Sequence, residues 1–237
     1  MEIIPIKTRA LLPPQDSLYD AILGTEPDFR EGDVVVISAK VVSIDEGRVV
    51  GPVTREEKMK LAEQEADVTL PSRGTDVDRY IIHHTFIGWA GVDECNANGH
   101  TILLPKEPGH SSERLCQFIQ EQYGLERIAV IIADSHSSPM RMGATGIAIG
   151  FYGLEPIIKH RGKKDVFGRE IRFTRSNVVD GMAAGAVLAM GETNEQTPLA
   201  IVRGVAGLEF AKYPTENKLF VPPEEDWFGE LYQNHLK

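Results

Sequence analysis

Hydrophobic positions along the chain switch between short continuous runs and helix-spaced stripes. Val34-Val35-Val36-Ile37 follows the turn pair Gly32-Asp33, and so predicts a buried strand. Val41-Val42-Ser43-Ile44 is the same kind of run and predicts a continuation or a pairing partner. Thr54 and Glu57 have capping-box spacing, and residues 58–67 are rich in helix formers, which predicts a helix. Residues 69–79 carry proline, glycine and aspartate, and predict a loop. Tyr80 to Ile87 predicts a strand that turns His83 and His84 to opposite faces.

The second half repeats the alternation. Ser111 to Arg114 opens a predicted helix through Leu115, Phe118 and Ile119, with Gly124 as its stop. Arg127 to Ala133 predicts a strong buried strand. The glycine-spaced stretch GATGIAIGFYG at 143–153 predicts a strand pressed against another backbone. Asn177 to Met190 holds Val178, Met182, Ala186 and Met190 at intervals of four, a buried small-residue helix. Leu199 to Val202 is a last buried strand. Residues 207–237 change character, with Pro214, Pro222, Pro223 and an acidic, aromatic end. They predict an extended arm that packs on its own domain and ends in a short amphipathic helix. A lid or dimer arm is the alternative.

The alternation implies a mixed α/β (α+β) fold. The 237 residues allow one large domain or two small ones. Net charge is −10, which speaks against a general nucleic-acid binder. Two cysteines are too few for a disulfide framework. The longest apolar run, Ile128 to Ala133, is far short of the roughly 20 residues a membrane helix needs. The N-terminus has no signal-peptide pattern, so a soluble, cytoplasmic protein without nucleic-acid or membrane partners is expected.

P-loop, GxGxxG, HExxH and GxSxG signatures are absent. Acidic residues placed just after apolar elements carry the chemistry instead. Asp134 directly follows Val130-Ile131-Ile132-Ala133, Asp93 lies in the turn-rich AGVDECNANG at 90–99, and Glu192 follows the small-residue helix. Strand carboxyl ends are common site positions in α/β proteins. Three such carboxylates suit a hard divalent cation such as Mg²⁺ or Mn²⁺, although a turn or cap role for each is the plain alternative. His136 stands two residues after Asp134 and is a candidate, as is a structural histidine there. His160, Arg161, Lys163, Lys164, Arg169 and Arg172 form one basic island, read either as a solvated loop or as an anion pocket.

These segments resemble one family. VVVISAKVVSIDEGRVV (34–50), AGVDECNANG (90–99), LLPKEPGHSSERL (103–115), IADSHSSPMRMGATGIAIGFYGLEPI (132–157), RGKKDVFGRE (161–170) and MGETNEQTPLAIVRG (190–204) are similar, in order, to the coenzyme F420:L-glutamate ligases. The likeness is strongest to a bacterial branch described as folate-metabolism γ-glutamate ligases. It covers 1–206 as a ligase domain of two lobes and leaves 207–237 as an arm. It implies a two-lobed subunit in an intertwined homodimer, two Mg²⁺ or Mn²⁺ ions, and GTP or ATP as co-substrate. By position it implies Asp93, Asp134, Ser135 and Glu192 as metal ligands. Ala39, Lys40 and Asn96 match nucleotide contacts by position, Thr193 and Asn194 are candidates beside them, Arg9 is a candidate replacement cation, and Arg141 and His136 are candidates for catalysis. The substrates implied are L-glutamate and a small anionic acceptor, joined through an acyl phosphate.

Some positions depart from the family. Its lysine in SKAEG falls on Ile44, and its GIPL-like segment falls on Thr8-Arg9-Ala10-Leu11. Its DTFGRPWR is DSHSSPMR here, so an arginine becomes Ser138 and a tryptophan Met140, while Arg141 is kept. These changes favour a folate- or pterin-like acceptor over the F420 precursor. A non-catalytic nucleotide-binding homologue is a third reading, disfavoured by retention of all three carboxylates.

Overall fold

The computed structural model describes residues 1–72 and 78–235. In chain order the elements are β1 (Glu2–Ile6), α1 (Leu18–Leu23), β2 (Val34–Ser38), α2 (Ala39–Asp45), β3 (Val49–Val50), α3 (Arg55–Glu65), β4 (Val68–Leu70), β5 (Arg79–Ile82), β6 (Thr85–Phe86), β7 (Thr101–Ile102), α4 (Pro108–Tyr123), β8 (Ala129–Ser137), β9 (Ala144–Tyr152), β10 (Ile157–Lys159), β11 (Arg175–Asn177), α5 (Val178–Met190) and β12 (Leu199–Arg203). This is a mixed α/β fold. None of the described helices is long and apolar enough to cross a membrane.

The central sheet has the order β1-β12-β2-β8-β9. β2 and β8 are parallel, with Ser38 opposite Ala133, and the other pairs are antiparallel. The continuous apolar runs of β2 and β8 follow from burial on both sheet faces. Val35, Ile37, Val130 and Ile132 join one core with α1, α2 and α4. Val34, Val36, Ala129 and Ile131 join the other with α5. The glycines of β9 allow both helices to approach. A Cβ on Gly146 would lie 2.5 Å from the Ala183 carbonyl oxygen, and one on Gly150 2.4 Å from the Pro108 carbonyl carbon.

Local signals place several ends. Thr54 and Glu57 form the complete capping box of α3. Gly124 takes the left-handed conformation that closes α4. Asn177 caps α5 by accepting from the Asp180 N–H.

Four expectations about elements before the arm are corrected. Val41 to Ile44 belongs to α2, not to a strand, because the chain leaves the sheet at Ser38 and buries Val41, Val42 and Ile44 in the core through one helical face. Tyr80 to Ile87 is a hairpin, not one strand: β5 and β6 pair antiparallel, and His83 and His84 are its turn, both with positive φ. The segment expected as a loop at 69–79 contributes Thr69 and Leu70 to β4 and Arg79 to β5, while 73–77 lie outside the described residues. α4 begins at Pro108 rather than Ser111, since proline's missing N–H is harmless in a first turn.

The arm docks on its own body. Thr215 Oγ1 donates to the Leu154 carbonyl at 2.6 Å, and the Phe220 ring stacks on His84 with centroids 4.1 Å apart. Its end forms short 3₁₀ turns rather than an amphipathic helix.

Candidate functional site

The sheet topology gathers four chain segments at one edge, and a fifth joins them. The parallel pair β2 and β8 ends side by side, so Ser38-Ala39-Lys40 and Asp134-Ser135 emerge together. β12 runs antiparallel to β2, which brings the preceding loop, Gly191 to Pro198, to the same edge; the Ser38 N–H donates to Pro198 O at 2.9 Å. β1 runs antiparallel to β12, so Thr8 to Leu12 follow there, with Thr8 N–H donating to Gln196 O at 2.9 Å. A fifth segment, Asp93 to Asn98, is fixed by a bridge between Asp93 and Ile102.

Side chains stitch these loops together. Lys40 Nζ donates to Asp93 Oδ2 at 2.5 Å and to Cys95 O at 2.7 Å. Asn96 Nδ2 donates to Thr193 O at 2.9 Å. Ser135 Oγ lies 3.5 Å from Glu192 Oε2. Between the loops lies a cavity of about 510 Å³, whose wall includes Arg9, Lys40, Asp93, Asn96, Asp134 and Glu192. Ser135, Thr193 and Asn194 line it as well. Such a cleft beyond strand carboxyl ends is where open α/β sheets place ligands.

The electrostatics follow from this crowding. Burial pushes the Asp134 carboxyl up to about 6, and the fields of Asp93 and Glu192 add to it against the Ser135 N–H and Lys40. Asp93 is also penalised by burial, but the Cys95 N–H and Lys40 outweigh that and hold it below the usual carboxylate range. Arg9 pairs with Asp16 through two hydrogen bonds, 2.5 and 2.8 Å long, and with two backbone N–H donors this holds Asp16 down to about 2.

Among the described residues, no three His, Cys, Asp or Glu side chains stand close enough together to hold a metal ion ready-made. Lys40 occupies the Asp93 carboxylate instead. The donor set still fits a hard divalent cation. Asp93, Asp134, Ser135 and Glu192 offer oxygen only, and a cation would offset both the burial that raises Asp134 and the fields of Asp93 and Glu192 that add to it.

Other candidates are placed differently. Ala39 is fully buried at the start of α2, so only its neighbours Ser38 and Lys40 reach the cavity. His136 faces a second cavity that shares Lys40, Asp93, Asp134 and Ser135 with the first. Arg141 is exposed in the β8–β9 turn and lines neither cavity. The basic island lies along the exposed β10–β11 hairpin and lines neither cavity. Sequence reasoning did not single out Asn98 or Gln196 in the first cavity, nor Lys58 and Trp89 in the second. The positive φ of Asn98, Gln196 and Trp89 marks unusual backbone that sequence does not display.

With this geometry in view, known proteins are informative. The family model of F420-0:gamma-glutamyl ligase matches residues 6–204. Relatives called coenzyme F420:L-glutamate ligase include one from Methanocaldococcus jannaschii, 35% identical over 216 residues, spanning 84% of this chain and 86% of the relative. That of Methanothermobacter thermautotrophicus is 33% identical over 198 residues, 75% of this chain and 77% of the relative. That of Methanococcus maripaludis strain S2 is 33% identical over 244 residues, 96% and 97% of the two chains. The cavity edge of the sheet, from Thr8 to Pro198, falls inside the matched span, and the chain belongs to the F420-0:gamma-glutamyl ligase family.

Proposed function

We propose that this chain is an acid–amino-acid ligase that adds L-glutamate to the carboxylate of a small anionic acceptor, driven by a nucleoside triphosphate. The observation that carries the reading is the convergence of Asp93, Asp134, Glu192 and Lys40 on one cavity at the carboxyl end of β2 and β8. Membership of a ligase family supports the reaction class.

Asp93, Asp134, Ser135 and Glu192 would hold one or two Mg²⁺ or Mn²⁺ ions. Bound there, such ions neutralise nucleotide phosphates and favour phosphoryl transfer. Lys40 then releases Asp93 and turns its ammonium to the phosphates of GTP or ATP. Arg9, Asn96, Thr193 and Asn194 line the same wall and position the nucleotide. The acceptor carboxylate attacks the γ-phosphorus, giving an acyl phosphate and the nucleoside diphosphate. The amine of glutamate attacks the acyl carbon, the C–O bond to phosphate breaks, and an amide and inorganic phosphate result. His136, at the second cavity, takes the proton from the amine.

Two acceptors remain in play, each with an observation. The names of the relatives favour a deazaflavin of the F420 type. Ile44, which stands where the family has a lysine, lines the large cavity and favours a changed partner such as a pterin. Met140, by contrast, points to solvent and lines neither cavity, so it carries no weight for acceptor choice.

A homodimer is part of the proposal. The β10–β11 hairpin leaves Val166, Phe167 and Phe173 between 85% and 92% exposed, an apolar surface that a second copy would cover. Light scattering after gel filtration reads the assembly. The reaction is tested by mass spectrometry with L-glutamate, Mn²⁺, GTP or ATP, and deazaflavin or dihydrofolate-type acceptors. One added glutamyl residue supports the reading. No gain with any acceptor and nucleotide refutes it.

A further inference from the structure

The second cavity, of about 260 Å³, has half the volume of the first and opens beside the same carboxylates. Its distinct wall comes from Lys58, Trp89 and His136. Lys58 is drawn inward from α3, and its side chain is only 14% exposed. Its ammonium meets the Glu94 carboxylate at 3.1 Å and lies 5.3 Å from the centre of the Trp89 ring. Glu94 is itself half exposed, so its pairing with Lys58 is weak and a competing carboxylate can take its place. Trp89 and Ala90 hold the Gly88–Gly91 turn with φ of 55° and 50°. Left-handed backbone at two consecutive non-glycine residues is costly, and here it fixes the turn that carries the Trp89 ring.

We propose that this cavity is the amino-acid subsite, in which Lys58 binds a carboxylate of L-glutamate against the Trp89 ring. This rests on the glutamate-adding reading above. The volume suits a small amino acid better than a fused ring system. Lys58 supplies the charge that a dicarboxylate needs and that L-glutamine would not satisfy at its side-chain end. The ring covers the methylene carbons. The shared wall of Lys40, Asp134 and Ser135 then lies between the amino acid and the nucleotide cavity, where the acyl carbon must stand. Lys58 is a specificity residue in this arrangement.

The test is a calorimetric titration of the full chain with L-glutamate, in the presence of Mn²⁺ and GDP. The wild type is expected to bind L-glutamate at least tenfold more tightly than L-glutamine. Lys58→Met should lose at least tenfold in L-glutamate affinity, Lys58→Arg should recover most of it, and GDP affinity should stay unchanged in both. Equal affinity of the wild type for the two amino acids overturns the proposal, as does unchanged L-glutamate binding in Lys58→Met or a parallel loss of GDP binding. A wild type that binds L-glutamate through Lys58 but adds none to any acceptor would keep this subsite and sink the ligase reading. Turnover with a Lys58→Met KM for L-glutamate equal to wild type would do the reverse.

Discussion

Arg203→Leu separates the stability of this fold from its chemistry. Asp33 is 1% exposed at its side chain, just before β2, and the Arg203 guanidinium meets both of its oxygens at 2.8 and 2.7 Å. A third bond, from the Arg30 N–H at 2.8 Å, completes the carboxylate. Removing the guanidinium leaves a buried anion with one donor. Breaking a buried pair from one side costs about 3–5 kcal/mol. At about 4 kcal/mol the folding constant falls roughly 700-fold, a large share of a typical stability of about 5–15 kcal/mol. With a urea slope near 3 kcal/mol/M, the unfolding midpoint should drop by roughly 1.3 M. Circular dichroism during urea titration measures it. The pair lies beside Val34, at the opposite end of β2 from Ser38, roughly 16 Å from the cavity edge by strand rise. Nucleotide affinity of the folded variant should therefore match wild type. A midpoint shift below about 0.3 M would refute the claim that this pair is a buried, unreplaced charge.

Three further outcomes are expected. Gly150→Ala drives a Cβ into the Pro108 backbone at the start of α4, which should cost about 2 kcal/mol and lower the melting temperature by roughly 4–8 °C; an unchanged melting curve would show that α4 moves freely on β9. Asp16 is held at about 2 against an ordinary 3.8, so its pairing with Arg9 stabilises above about pH 4 and is lost as pH falls toward 2. Because Arg9 is half exposed, Asp16→Asn should cost only about 1 kcal/mol at pH 7 and nothing near pH 2, read from urea midpoints at both values; equal losses at the two would contradict the linkage. Asp134→Ala should abolish nucleotide-dependent ligation while circular dichroism stays native, and full turnover in that variant would remove the metal-site proposal.

How much of this was legible in the sequence depends on range. The apolar runs of β2 and β8 declare burial on both faces, because no polar alternation interrupts them. The Thr54 box, Gly124 and Asn177 mark helix ends through bonds made within a few residues. Asp93, Asp134 and Glu192 were visible as acids following apolar elements. The segment from Val41 to Ile44 misled for a physical reason: β-branched residues favour strands locally, but the core on one side of the sheet accepted them on a helix. His83 and His84 misled because a two-residue hairpin turn inside an apolar run has no glycine to announce it.

Sequence alone, then, determined the local elements, the acidic candidates and, through ordered motifs, the family. Only the tertiary structure decided which loops meet. Lys40 and Asp93 are 53 residues apart, and Asn96 and Thr193 are 97 apart; they touch because β1, β2 and β8 run one way and β12 the other, which delivers four loops to one edge, where the loop held by the Asp93–Ile102 bridge meets them. The same packing left Arg141 and the basic island outside the cavities and drew Lys58 and Trp89 into one. Local chemistry cannot encode such meetings, since they depend on the register and direction of strands far apart in the chain.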